Sequence, residues 1–120
     1  MIKLIMCLTR RVDLSREEFM EYWEKEHGPF FMKNAAIMRA KRYVQSQTLS
    51  SPMNDAMKES RGLLDEFDGV AEVWFESEED LMAGMGSAEG QELGMALLKD
   101  EENFIDHTKT SAFLVREVEF

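Results

Sequence analysis

Residues 15–31, SREEFMEYWEKEHGPFF, decide how the chain is read. Ser15 followed three residues later by Glu18 is a capping-box signature, so a helix starts here. Phe19, Tyr22, Trp23 and Glu26 recur at i, i+3, i+4 and i+7, which puts the aromatic rings on one helical face. The spacing predicts that Gly28-Pro29 ends this helix, because glycine suits a C-terminal cap and proline cannot continue the hydrogen-bond ladder. On the N-terminal side, IKLIMCL (2–8) is almost continuously apolar, the pattern of a central strand covered on both faces.

Further along, residues 30–39 read as a connection with a helical turn at Met32 to Met38, and AKRYVQSQTL (40–49) as a polar, partly exposed strand. Ser50, Ser51, Pro52, Asn54 and Gly62 mark residues 50–68 as a long crossover with a short helix at 54–60. GVAEVWFE (69–76) is a strand in which Ala71, Val73 and Phe75 point one way and Val70, Glu72 and Trp74 the other. Ser77 and Asp80 repeat the capping pattern at a second helix, which Gly84, Gly86 and Ser87 break. A further helix runs from about 88 to 99. Residues 100–111 connect it to a last strand, AFLVREVEF (112–120).

The order is β-α-β twice, and S15-R-E-E-F-M is echoed by S77-E-E-D-L-M. Two such units make one domain over residues 1–120: a ferredoxin-like α+β sandwich, a four-stranded antiparallel sheet with helices on one face. Strands 1, 3 and 4 carry apolar residues on both faces, and helices cover only one. The other face is expected to pack on a second copy, giving a homodimer whose two sheets curl into a shared barrel. Glu72, Trp74 and Tyr43 are candidates to face the space between those sheets.

The composition narrows the function classes. The net charge is −10, and residues 61–120 hold 16 of the 24 acidic side chains but 4 of the 14 basic ones. Such a surface repels phosphate backbones, so nucleic acid is not an expected partner. No apolar run is long enough to span a bilayer, so no membrane partner is expected. MIKLIMCLTRR (1–11) lacks a small-residue cleavage site and reads as a strand rather than a signal peptide. The single cysteine, Cys7, has no internal disulfide partner; a buried, inert thiol and a reducing, cytoplasmic setting are expected. Two distant histidines and one cysteine give no metal-ligand spacing, and the acidic runs lack the glycine and alternation of a calcium loop. With no G-x-G-x-x-G and no P-loop, no cofactor is expected.

Three segments resemble the EthD-like proteins of the dimeric α+β barrel superfamily. They are SREEFMEYWEKEHGPFF, whose F-x-x-Y-W-x-x-x-H-G-P core is the most specific, then DGVAEVWFESEEDL, and DEENFIDHTKTSAFLVREVEF with its D-x-x-x-F-I-D pattern. The resemblance implies a dimeric barrel, a pocket between sheet and helices, and small hydrophobic or aromatic substrates. Relatives include a protein needed for microbial degradation of a branched alkyl ether, and fungal enzymes that dehydrate or decarboxylate aromatic polyketides. The wider superfamily holds cofactor-free quinol-forming monooxygenases, muconolactone isomerases and haem-binding enzymes.

His27 is the first candidate catalytic residue. It follows Trp23 by four positions, on the aromatic face, where it serves either as a pocket acid/base or as a structural cap on helix carbonyls. At a helix C-terminus the macrodipole favours imidazolium, while an apolar pocket favours the neutral ring. Through the resemblance, Asp106 of the F-I-D segment is the candidate that approaches and orients His27. Trp23 is a candidate pocket wall, Tyr22 a hydroxyl beside His27, and His107 a weaker neighbour of Asp106. Glu72 reads as a buried acid or, preferably, as the partner of Arg42 or Arg116. The expected function is a cofactor-independent enzyme acting on a small hydrophobic or aromatic compound by oxidation, dehydration or isomerisation. The alternatives are a binding protein for a hydrophobic metabolite, and a haem-binding or haem-degrading protein with His27 or His107 as ligand.

Overall fold

A computed structural model describes all 120 residues. Strands β1 (Ile2–Leu8), β2 (Arg42–Gln47), β3 (Gly69–Phe75) and β4 (Ser111–Val115) form one sheet in the order β2-β3-β1-β4. Every neighbouring pair is antiparallel. The two most apolar strands, β1 and β3, are central, as continuous apolar runs demand. The helices are α1 (Arg16–Tyr22), α2 (Gly28–Asn34), α3 (Pro52–Arg61), α4 (Glu78–Gly86) and α5 (Ala88–Glu101). The architecture is the ferredoxin-like α+β fold expected from the sequence. No helix is long and apolar enough to cross a membrane.

Strand register fixes which residues meet the helices. Val73 pairs with Leu4 on one side and Tyr43 on the other, and these three share the helix-covered face. Glu72 pairs with Ile5 and Val44, and Trp74 with Lys3 and Arg42, on the open face. Tyr43 therefore does not look out with Glu72 and Trp74, contrary to the sequence reading. With a side-chain period of two, its pairing with Val73 turns it inward.

Two packed clusters anchor the helices. Phe31, Leu81, Leu93 and Leu97 bring α2, α4 and α5 onto Val73 and Phe75. Phe19, Trp23, Phe104 and Ile105 close over Leu8 and Ala71 at the other end. Burying each such side chain stabilises the fold by roughly 1.5–3 kcal/mol. Between α4 and α5 the backbones touch: a Cβ on Gly90 would overlap the Gly84 carbonyl oxygen.

Asp68, 3 % exposed, ties the start of α1 to the sheet. Its carboxylate accepts from the Arg10 backbone N–H at 2.8 Å, from the Arg10 guanidinium at 2.8 Å and from Arg16 Nε at 3.0 Å. Burial pushes this carboxyl up, but the Arg10 N–H and the Arg16 and Arg10 guanidinium groups outweigh it, and the pKa is lowered.

Several boundaries differ from expectation. The Ser15–Glu18 capping box forms, with both reciprocal bonds. Gly28-Pro29 does not end the helix; the chain stays helical to Asn34. α3 starts at Pro52 behind a Ser51 cap and ends at Gly62, whose φ of +62° suits glycine. α5 runs on to Glu101, and β4 stops at Val115. Cys7 is half-buried on the open face, where burial pushes its thiol pKa up, so it has the character of an unreactive thiol.

Candidate active site

The helix passes through Gly28-Pro29 by changing its winding. Residues Trp23–His27 form one π-helical turn, and the Gly28 N–H donates to the Trp23 carbonyl five residues back. Proline at position 29 has no N–H and would press on the Lys25 carbonyl in a regular α-helix; the wider turn relieves this. The Trp23 carbonyl also accepts Gln45 Nε2 at 2.8 Å, a donor reaching across from β2. Gly28 leaves room for that amide, since a Cβ there would lie 2.8 Å from it. The extra residue rotates the chain so that Trp23 and His27 are buried while Glu26 is exposed. His27 is therefore inside a continuous helical run, not at a helix C-terminus, and the macrodipole argument does not apply to it.

His27 is 8 % exposed, and its Nδ1 lies 2.7 Å from Asp100 Oδ2. Its ring packs on Phe104 at 5.1 Å between centroids. The other carboxylate oxygen, Asp100 Oδ1, accepts the Tyr22 hydroxyl at 2.6 Å, and that hydroxyl accepts Asn103 Nδ2 at 3.0 Å. Burial, then the bond to Asp100, raises the Tyr22 pKa, so the phenol stays protonated as a donor. A carboxylate on Nδ1 holds the neutral imidazole with its proton on that nitrogen and leaves Nε2 as the acceptor. Nε2 makes no hydrogen bond within the chain.

His27 lines a cavity of about 200 Å³ between the sheet and the helices. Twelve of the fifteen lining residues are hydrophobic, among them Trp23, Phe31, Val73 and Leu97. The ionisable groups on its wall are His27, Tyr43 and Glu101. Burial raises the Tyr43 pKa, and Gln45 Nε2 donates to its hydroxyl at 2.8 Å. Glu101 carries a second carboxylate–imidazole pair, with His107 Nε2 3.0 Å from its Oε1.

Of the residues singled out from the sequence, the structure brings His27, Trp23 and Tyr43 to this cavity, with Tyr22 one bond behind through Asp100. Asp106 does not orient His27. Its carboxylate accepts the Thr108 hydroxyl at 2.6 Å and the Thr108 N–H at 3.0 Å, capping the short 3₁₀ turn His107–Lys109. The Thr108 hydroxyl is the main reason its pKa is lowered. His107 is exposed and reaches the cavity wall only through Glu101.

Glu72 pairs with Lys3 at 3.6 Å, not with Arg42 or Arg116. Arg42 is instead stacked 4.5 Å over the Trp74 ring, with Lys3 at 4.9 Å. Trp74 Nε1 donates to Glu117 at 2.7 Å. Both Glu72 and Trp74 thus belong to the open face rather than to this cavity. Asp100 and Glu101 escaped the sequence reading. The signal was the spacing of Leu93, Leu97, Asp100/Glu101 and Phe104, which holds one face once α5 is extended to Glu101.

The EthD domain sequence profile matches residues 11–108. An EthD family protein from Bacillus halodurans has a similar structure, with a TM-score of 0.66 at 22% identity over 98% of this chain and 99% of that one. A dimeric ferredoxin-like protein of unknown function from Bacteroides fragilis has a TM-score of 0.61 at 11% identity, over 97% and 95%. SnoaB, a cofactor-independent oxygenase from Streptomyces nogalater, has a TM-score of 0.56 at 10% identity, over 99% and 94%. No functionally curated protein matches the chain. With 98 of 120 residues inside the matched profile, the chain belongs to the EthD domain family.

Proposed function

We propose that this protein is a cofactor-independent enzyme that moves a proton on a small aromatic compound held in the cavity, with His27 as the base. The observation that carries this reading is the His27–Asp100 pair, held at 2.7 Å on the wall of an apolar cavity. Nε2 takes a proton from a phenolic O–H or an activated C–H, and the Asp100 carboxylate stabilises the imidazolium that forms. The substrate anion delocalises into its ring. Oxygen addition, loss of water and a double-bond shift all start from that anion. The fold shared with a cofactor-independent oxygenase supports the reading. An apolar cavity of about 150 Å³ takes up benzene, so about 200 Å³ suits one or two small rings.

The test is turnover of a panel of one- and two-ring phenols and quinols by wild type and His27→Gln. Loss of about 10²–10⁴ in kcat with binding retained is expected. Full turnover by the variant would sink the proposal. Binding by wild type with no conversion would make the chain a carrier instead.

The open sheet face is part of the same proposal. Ile5, Val44, Val70, Phe113 and Val115 lie on it, and a second copy packed there buries them in a closed two-sheet barrel. The dimeric state of the Bacteroides fragilis protein supports this assembly.

A further inference from the structure

Five of the seven glycines have a local reason to be glycine. A Cβ at Gly28, Gly69, Gly84 or Gly90 would approach another atom within 2.8 Å. Gly62 has a left-handed φ, whereas Gly86, the last residue of α4, has neither a positive φ nor a close neighbour. Gly94 has no such reason. It lies inside the 14-residue helix α5, its φ is not positive, and a Cβ there would meet nothing within 4 Å. Glycine in a helix interior is unfavourable relative to alanine, so this position is destabilising with no packing gain to offset it.

Gly94 also lines the cavity and is partly exposed, between the buried Leu93 and Leu97. The same cavity is reached from α4 by Met85, its one lining residue that is well exposed, at 47 %. Methionine is unbranched and swings among rotamers with little cost.

We propose that ligands enter the cavity between α4 and α5, with Met85 as a movable flap and Gly94 as the position that sets the size of what passes. The inference rests on the reading that the cavity takes a one- or two-ring aromatic compound. The missing side chain at Gly94 keeps the passage open, and Met85 closes over the bound ring.

Binding of para-nitrophenol and naphthol to the full chain, by stopped-flow and calorimetry, tests this in wild type, Gly94→Ala, Gly94→Leu and Met85→Ala. Both Gly94 variants are expected to melt higher than wild type, because the helix gains a better former. Gly94→Leu is expected to bind naphthol roughly tenfold or more weakly, with para-nitrophenol less affected. Met85→Ala is expected to speed association of both. Higher melting together with weaker binding is an outcome that a purely structural glycine does not give. Unchanged association and affinity in Gly94→Ala and Gly94→Leu would overturn the passage and leave the cavity reading standing. Wild type that binds neither phenol overturns both.

Discussion

In the proposed reaction Asp100 governs what His27 can do, since it holds one ring nitrogen and leaves the other without a partner in the chain. Asp100→Asn removes the charge that stabilises imidazolium and unsettles the tautomer. It is expected to lower kcat by about 10² or more, read in the same turnover assay as His27→Gln. Tyr22→Phe removes a single hydrogen bond to the carboxylate and is expected to cost about tenfold. The histidine was legible because W-x-x-x-H puts it on a buried face. Its partner was passed over: Asp100 opens the D-x-x-x-F-I-D pattern, but it also stands in a run, D-E-E, that looks like a solvated helix end. Asp106 drew attention through the F-I-D pattern, yet Thr108 claims its carboxylate locally. A side chain two residues away is a cheaper partner than one across the fold.

Among the elements, the π turn was the least legible. Gly28-Pro29 carries the composition of a helix stop, and only a donor from a different strand, Gln45, supports the alternative. Long-range partners of this kind are invisible to local spacing. Gln45→Ala is expected to destabilise by about 1 kcal/mol in a urea melt, since the Trp23 carbonyl and the Tyr43 hydroxyl each lose a donor. The junction of α1 with the sheet depends on Asp68. Asp68→Asn is expected to cost about 2 kcal/mol, because it weakens three charge-assisted bonds. The folded-state pKa of Asp68 is below its unfolded value of about 3.9. Its stabilisation is therefore complete above that value and is lost as the pH falls through the folded-state pKa. Urea midpoints of wild type should fall over that acid range more steeply than those of Asp68→Asn.

At the scale of the whole molecule, the four-stranded antiparallel sheet was legible because two βαβ units with alternating strands admit few arrangements. The assignment of Tyr43 to the wrong face shows where that reasoning stops: alternation gives two sets of residues but not which set meets the helices. Only the pairing of Tyr43 with Val73 decides it. The open face leads to a measurement. Phe113 is 47 % exposed on β4, beside the apolar residues of β1. Phe113→Glu places a charge in the proposed sheet-to-sheet contact, and light scattering should find a monomer where wild type is a dimer. A dimer of unchanged tightness would place the contact elsewhere.

The five-residue turn at Trp23–His27 holds one residue more than a regular helix needs. The helix consequently has a built-in place for a deletion. Removing Glu24 or Lys25, both exposed, lets the hydrogen bonds close into an ordinary four-residue repeat. The cost is the angular offset between tryptophan and histidine, together with the proline clash that the wider turn relieves. A relative shorter by one residue here, and without the proline, would keep the helix and aim its histidine differently. When such chains are aligned, the gap belongs inside 23–27. Counting forward from the Ser15 cap then misassigns the histidine by one position, whereas counting back from Gly28 finds it.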